Sequence, residues 1–361
     1  MKDLEKKLRI IVQKISDSRL NWCLAASGIL ALFALFDIET LKKIELWDIS
    51  GIANTVDNFA SPILGIFENI LIKALVYALF GITLLLRTYK SAIHPRAIII
   101  NHSSFSNAQS SYDPSIVSGY SVKEKDINLV NQMARHNTVD AIRTQDALIE
   151  EALNDCDKST ELFYYGIAHI PLIFRAGFQV GDEGKVRLLH KYRNDQPFFK
   201  EISSDPDTYT VRLRPSTVRN TKVSSEMLVV VATSLPVVSE DLAVFRSGNL
   251  CCELHFEMEN KSMYGFDSVD SYAAMNRLRK GILDKIRETA TKKNIKRIHM
   301  VLATSSDFTF FLAQGFSKNH DPEIVVYHYD RNSTVKYPWG ISNTLTPANA
   351  VIRQTGNSPT A

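Results

Sequence analysis

The sequence predicts an α/β fold in which two similar halves follow an N-terminal membrane module. Three observations lead to this prediction: two long apolar runs near the N-terminus, short β-branched runs alternating with helical segments after residue 90, and a repeat within that later part. The net charge of +3 over 361 residues is too mild for a duplex-DNA binder. The four cysteines lack the spacing of a disulfide framework or a metal knuckle, so we expect neither a metal nor a bound cofactor.

Residues 1–90 are predicted to form the membrane module. The apolar runs at about 20–38 and 62–87 are each long enough to cross a bilayer as a helix. An amphipathic helix is expected before the first run, where apolar residues recur at helical spacing among lysines and arginines. Basic residues precede the first run and follow the second, whereas the connecting loop is mainly acidic. The positive-inside rule therefore places both termini in the cytoplasm.

Two charged residues, Glu68 and Lys73, lie within the second apolar run. Charges at membrane depth are costly, so such residues often mark a polar path or a pairing surface. Both also lie toward the outer end of the run, where Lys73 can reach the interface and Glu68 can sit among the headgroups. The sequence leaves both interpretations open.

Residues 91–342 are predicted to form the α/β domain, in halves of about 91–215 and 216–342, followed by a disordered tail at 343–361. Long helices are expected at about 137–153 and along the apolar face from Tyr272 to Ile286. Short apolar runs bounded by polar turns predict strands. These strands are 97–101, 162–166, 185–191, 227–233, 250–257, 296–303 and 323–329.

The repeat divides this domain into two halves. His169–Asn194 aligns without a gap to Asp307–Asn332, which matches Gly177 with Gly315 and His190 with His328. The two glycines are expected to end short helices in the left-handed conformation. The run 97–105 also has the character of 228–236, since each is a buried strand followed by a hydroxyl-rich loop. The sequence therefore predicts two fused Rossmann-like halves with pseudo-two-fold symmetry.

The ends of the predicted strands are the candidate ligand site. In open parallel sheets, ligands bind beyond the carboxyl ends of the strands. Helix-start amides and hydroxyl groups bind phosphate, and aromatic or apolar side chains in the same loops can stack on bases. The candidate ligand-binding residues are Ser103, Ser104, Phe105, His169, Pro171, Thr233, Ser234, Leu235, Ser305, Ser306, Asp307 and Phe308.

Each of these candidates also has a structural interpretation. His169 can instead cap its turn, and some of the serines serve only as loop residues or helix caps. His190 and His328 are interpreted as structural. Metalloprotease, Walker and nucleophile-elbow motifs are all missing from the sequence, which favours a sensor over an enzyme.

The segment Glu161–Phe199, together with its counterpart in the second half, resembles the SAVED domain. That domain is a fused pair of CARF-like halves and is the sensor of CBASS antiphage systems. The resemblance covers about 93–342, and the two apolar runs ahead of it resemble the membrane-effector members of the family.

The resemblance implies a cyclic oligonucleotide ligand, in particular a cyclic trinucleotide, made by a partner nucleotidyltransferase. It also implies that the chain self-associates when ligand binds and disrupts the bacterial inner membrane. Two alternatives from other classes stay open. One is a membrane-tethered nucleotide hydrolase or ring nuclease on a Rossmann-like scaffold, and the other is a channel or structural subunit that binds only protein.

Overall fold

The computed structural model describes residues 22–24, 26–27, 70–93, 95–106, 111–157, 159–181, 186–192, 198–203, 213–219, 224–248 and 250–354. The chain divides into two units, Met1–Pro95 and Arg96–Ala361, which are described here in turn.

The N-terminal unit contains one long described helix, α1 (Ile70–Ile93). Among the residues described, none of the helices combines the length and apolar character needed to cross a membrane. This finding does not support the predicted two-helix membrane module. The predicted amphipathic helix, most of the first apolar run and Glu68 lie outside the described residues, whereas Lys73 lies within α1.

The first half of the second unit is built on a sheet of six described strands in the order β2-β6-β5-β4-β1-β3. The four strands from β5 to β3 run parallel, and β6 is antiparallel to β5. The strands are β1 (Arg96–Ser103), β2 (Ser111–Tyr112), β3 (Ser121–Asn128), β4 (Glu161–Ile167), β5 (Val186–His190) and β6 (Phe198–Glu201). The helices are α2 (Val130–Ala134), α3 (Thr138–Asn154) and α4 (Ile170–Val180), with a 3-10 helix at Pro114–Val117.

The second half is built on a sheet of seven described strands in the order β13-β12-β11-β10-β8-β9-β7. The strands are β7 (Leu213–Arg219), β8 (Glu226–Ala232), β9 (Leu250–Met258), β10 (Arg297–Ala303), β11 (Glu323–His328), β12 (Trp339–Ser342) and β13 (Val351–Arg353). The helices are α5 (Ala243–Arg246), α6 (Tyr272–Lys293), α7 (Ser306–Ala313) and α8 (Pro347–Ala350), with 3-10 helices at Ser239–Leu242 and Lys261–Met263.

The two sheets have the same order of central strands. The parallel series β3-β1-β4-β5 corresponds to β9-β8-β10-β11, and in each half an antiparallel strand follows, β6 or β12. The predicted disordered tail is wrong in its first part, because α8 and β13 lie within it and β13 pairs with β12. Residues 355–361 lie outside the described residues.

Neither repeat glycine is a helix end in the left-handed conformation, as predicted for both; Gly177 lies within α4, and Gly315 follows the C-cap residue of α7 without a positive φ. Helix α4 runs past Gly177 and ends at Val180, and its C-cap residue is Gly181, which has the positive φ of 64°. A Cβ on Gly177 would clash with the carbonyl oxygen of Phe310 and lie 3.0 Å from Cβ of Ala313. A Cβ on Gly315 would clash with Leu283 of α6, and Gly315 has no positive φ. The backbone of α7 therefore excludes a side chain at Gly177, whereas the closest atom at Gly315 is the end of the Leu283 side chain.

The packing of α4 against α7 joins the two halves around one core. The rings of Tyr164 and Phe310 stack with centroids 3.8 Å apart, and those of Phe174 and Phe316 lie 5.7 Å apart. Buried apolar side chains from both sheets belong to the same cluster. Helix α4 follows β4, and α7 follows β10. Their packing therefore also fixes the ends of these two strands, where the candidate site lies.

Candidate ligand-binding site

Ser104 links the ends of β1 and β4 through hydrogen bonds. Its hydroxyl lies 2.6 Å from Nδ1 of His169 and accepts a hydrogen bond from the backbone N–H of His169 at 2.8 Å. Its own N–H donates to the carbonyl oxygen of Ile167. Nearby, a Cβ on Gly166, whose φ is 146°, would clash with the His102 carbonyl. The loops after β1 and β4 are therefore held in direct contact, which only glycine permits at residue 166.

Four rings form a row that crosses from the first half to the second. Phe105, 41% exposed, stacks on His169 with centroids 4.1 Å apart. His169 lies 4.7 Å from His328 at the end of β11, and His328 lies 4.9 Å from Trp339 at the start of β12. We call these four residues the aromatic row. It brings His169, a predicted site residue, against His328 and Trp339 of the second half, which were not predicted to bind the ligand.

The two histidines of the aromatic row are uncharged at neutral pH. Burial, reinforced by His328 and His102, lowers the pKa of His169 to about 3. Burial also lowers the pKa of His328 to about 4, although Asp330 opposes the shift. The row therefore presents flat, neutral surfaces with ring N–H and N groups, which suits contact with an uncharged heterocycle.

The strand ends of the second half carry hydroxyl groups. The N–H groups of Thr233 and Ser234 both donate to the Ala303 carbonyl, at 3.1 and 2.9 Å, which ties the ends of β8 and β10 together. Ser305 is the N-cap residue of α7, but its side chain makes no capping hydrogen bond. The hydroxyl oxygens of Ser234 and Ser305 are buried without a partner in the described part of the chain. Leu235, 53% exposed, follows Ser234 in sequence.

A buried ion pair lies at the start of α7. Nδ1 of His190 lies 3.0 Å from Oδ2 of Asp307, and Nε2 lies 3.0 Å from Oδ1 of Asp267. Burial alone would lower the pKa of His190, but Asp307 and Asp267 outweigh it and raise the pKa to about 9. His190 is therefore an imidazolium at neutral pH and balances the charge of Asp307.

The contacts of His190 and His328 are related by the repeat. Each histidine ends its own strand, β5 or β11, and reaches the first turn of the central helix in the other half. The gapless alignment, however, fails before the glycines. The N-cap residues are His169 in α4 and Ser305 in α7, each two positions after the end of its strand. Gly177 follows its N-cap residue by eight positions and Gly315 by ten, so the two extra residues of the second half lie between the N-cap and the glycine.

The structure places the predicted site residues in two groups and contradicts the ligand-binding role predicted for Phe308. Phe308 is completely buried, so its ring is not available to a ligand base and that prediction is wrong. Pro171 is also buried and shapes the first turn of α4. The first-half group comprises Ser103, Ser104, Phe105 and His169, and the second-half group comprises Thr233, Ser234, Leu235, Ser305, Ser306 and Asp307. His328 was interpreted as structural, although its place in the repeat was the available signal for its contact with His169.

Residues 145–342 match the family model for SAVED, described as the SMODS-associated and fused to various effectors sensor domain. This match covers more than half of the chain. The chain belongs to the SAVED family. The matched SAVED segment runs from within α3 to the end of β12, and it includes His169, His190, Ser305 and His328, whereas β1 and Ser104 precede it.

Solved structures similar to this SAVED chain include SAVED/CARF-domain containing receptors named Cap4. The Acinetobacter baumannii receptor with 2'3'3'-cAAA is 10% identical, with a TM-score of 0.49 over 75% of this chain and 56% of that chain. The same receptor with 3'3'3'-cAAA gives 11% identity and 0.47 over 74% and 55%. The Moraxella osloensis receptor gives 12% and 0.42 over 67% and 48%. The chain thus spans about half the length of these receptors. No curated protein matches it significantly.

Proposed function

We propose that this chain is a membrane-attached effector whose SAVED domain binds a cyclic oligonucleotide, above all a cyclic trinucleotide made by a partner nucleotidyltransferase. The observation that carries the binding step is the aromatic row at the strand ends of a SAVED sensor domain. The chain acts in antiphage defence and adds no chemistry of its own to the ligand.

The chemistry of the strand ends supports a nucleotide ligand. Stacking of a base on an aromatic side chain contributes roughly 1–3 kcal/mol, and the exposed ring of Phe105 is free to make such a contact. The neutral imidazoles behind it can exchange hydrogen bonds with the edge of a base without repelling it. Hydroxyl groups and helix-start amides on the second half suit the phosphates of the same ligand.

The exposed side chains of α1 support the membrane part of the proposal. Leu75, Leu79 and Ile82 recur at helical spacing, and Leu75 and Leu85 are 62% and 69% exposed. An apolar face of this kind requires an apolar partner, and we propose the bacterial inner membrane, with both chain termini in the cytoplasm. Ligand-bound SAVED domains associate and gather the N-terminal units, which disrupts the membrane. Ligand drives this only as far as it binds the assembled state more tightly than the monomer.

The test uses the full chain in detergent micelles and, separately, in dye-loaded liposomes. Synthetic cyclic di- and trinucleotides are added, with the linear trinucleotide as control, and the affinity, the particle mass and the dye release are measured. We expect one cyclic ligand to bind, to raise the mass and to release dye, whereas the linear control does none of these. If no cyclic nucleotide binds, the sensor proposal fails. A rise in mass without dye release rejects only membrane disruption.

The same samples separate a sensor from a hydrolase or ring nuclease. After overnight incubation, the ligand is recovered and analysed by chromatography and mass spectrometry. We expect the cyclic ligand to be recovered intact at every protein concentration. Linear products that increase with the amount of protein would instead assign an enzymatic activity.

A further inference from the structure

The two central helices begin in chemically different ways. The first three backbone N–H groups of an α-helix have no partner within the helix. In α7 these belong to Ser306, Asp307 and Phe308, and within the described part of the chain no side chain caps them. In α4, by contrast, Pro171 has no N–H group and the N–H of Leu172 donates to the His169 carbonyl at 2.9 Å. An anion therefore finds more free donors at α7 than at α4.

Two hydroxyl groups without a partner belong to residues near this helix start: Ser305 is the N-cap residue of α7, and Ser234 is hydrogen-bonded to the end of β10. Ser234 is only 4% exposed, and its Oγ is buried with no partner among the described residues, as is Oγ of Ser305. The two residues are linked through β10, since the N–H of Ser234 donates to Ala303, two positions before Ser305. Buried polar groups without partners are rare in folded proteins, and a bound ion is one of the explanations for such an exception. The start of α7 thus combines open amides with two donors that have nothing to bind.

The carboxylate of Asp307 does not prevent an anion from binding there. It is directed to Nδ1 of His190, and Asp267 lies at the opposite ring nitrogen. Because both carboxylates keep His190 protonated at neutral pH, Asp307 is already paired with a positive charge. The aromatic row at the start of α4 has the opposite character, since its rings are neutral and one of them is exposed.

We propose, resting on the function proposed above, that the two halves bind different parts of the ligand. Ser234, Ser305 and the first amides of α7 bind a phosphate of the cyclic oligonucleotide, while the aromatic row takes one of its bases. The pseudo-symmetric domain therefore binds its ligand in one orientation, with Pro171 and the bonded amide of Leu172 disfavouring a phosphate at α4.

The first test measures the affinity of the full chain, in detergent, for the cyclic trinucleotide that the wild type binds best. The variants are Ser234→Ala, Ser305→Ala and the double variant. Each serine is expected to contribute roughly tenfold to affinity, as hydrogen bonds to charged groups do. The thermal midpoint should stay constant or rise, because each change removes a buried hydroxyl that has no partner.

Thr309→Val is the matched control on the same helix. Its hydroxyl contacts that of Thr304 at 2.6 Å and donates to the Ser305 carbonyl, so it has partners within the protein. This variant should lower the thermal midpoint and leave the affinity for the cyclic trinucleotide unchanged. The serine variants should instead lower the affinity and leave the thermal midpoint constant or higher. A purely structural role of the serines would not produce this combination.

Hydrogen exchange with simple probes provides an independent test of the proposed division. Millimolar inorganic phosphate should protect peptides covering 304–309 and leave 169–173 unchanged, whereas adenosine should affect only the peptides that contain Phe105 or His169. If the double serine variant binds the trinucleotide as tightly as the wild type, the division is wrong while the sensor function stands. If the wild type binds no cyclic oligonucleotide, the sensor function fails. In that case, protection of 304–309 by phosphate would still support the anion site, and unchanged exchange there would overturn it.

Discussion

Nδ1 of His190, the last residue of β5, lies 3.0 Å from Oδ2 of Asp307 in the first turn of α7. This contact joins the first half of the SAVED domain to the second at the start of the helix that carries the proposed phosphate site. Asp267 holds the other ring nitrogen at 3.0 Å, so the imidazolium is enclosed between two carboxylates. His190 is 2% exposed, and its protonation therefore contributes to the stability of the joined halves.

The stability of the SAVED domain should depend on pH through His190. Its pKa is raised from 6.5 to about 9, so its contribution is complete below pH 6.5 and is lost as pH rises through 9. His190→Gln leaves Asp307 buried without its cation and should lower the free energy of unfolding by about 3–5 kcal/mol at pH 6. The difference from wild type should shrink at pH 9.5. Urea denaturation across this pH range measures it.

The control for this series is His320→Gln, which changes an exposed histidine. Its profile should run parallel to that of the wild type throughout. A His190→Gln difference of equal size at pH 6 and pH 9.5 would mean that the residue contributes packing alone.

A glycine at the contact between α4 and α7 and a glycine on an exposed helix face should respond to substitution by alanine with opposite changes in stability. Gly177→Ala places a methyl group against the Phe310 carbonyl and should destabilise the protein by about 1–3 kcal/mol. Gly281→Ala lies on an exposed position of α6 with no atom within 4 Å of the new methyl group, and should stabilise it by up to about 1 kcal/mol. Thermal melts of both variants compare them directly. Equal shifts would show that helix propensity, and not the interface, governs residue 177.

The central strands could be predicted from sequence because they are buried on both faces. In β8, every residue from Met227 to Ala232 is buried, and the run is continuously apolar. Strand β3 was missed because half of its sequence, SVKEKDIN, is charged. It is the outer strand of its sheet, and only Lys125 and Ile127 are buried. A charged edge strand carries no apolar run to reveal it.

The site was predicted only as far as local sequence determines it. Ser104 and His169 followed from the rule that ligands bind at strand ends. Trp339 could not be found in this way, because it reaches His169 across the two halves from an antiparallel strand. Phe308 was assigned to the ligand because it follows a strand end, but every residue of α7 from Asp307 to Ala313 is buried, including the polar Asp307 and Thr309, so its pattern does not distinguish an outward face.

Three histidines whose pKa is lowered by burial should make the domain sensitive to acid. Burial lowers the pKa of His102 and of His169 to about 3, and that of His328 to about 4. Their unfolded pKa is near 6.5, so their neutral forms give full stability above that pH, and stability falls as pH decreases below it. Each should contribute a slope of up to about 1.4 kcal/mol per pH unit. His169→Gln should reduce the slope between pH 6.5 and 4.5 relative to wild type, as measured by urea denaturation, and an unchanged slope would contradict the assignment.

The exposed ring of the aromatic row should determine base binding more than stability. Phe105→Leu keeps an apolar side chain but removes the stacking surface, and should weaken binding of the cyclic trinucleotide by roughly tenfold, the lower range for a stacked base. Phe105→Trp should retain or improve affinity because it restores a flat ring. Since the side chain is 41% exposed, both variants should melt close to the wild-type temperature. Calorimetric titration of the three proteins compares the affinities, and a Leu variant that binds as tightly as the Trp variant would exclude Phe105 as a base-stacking surface.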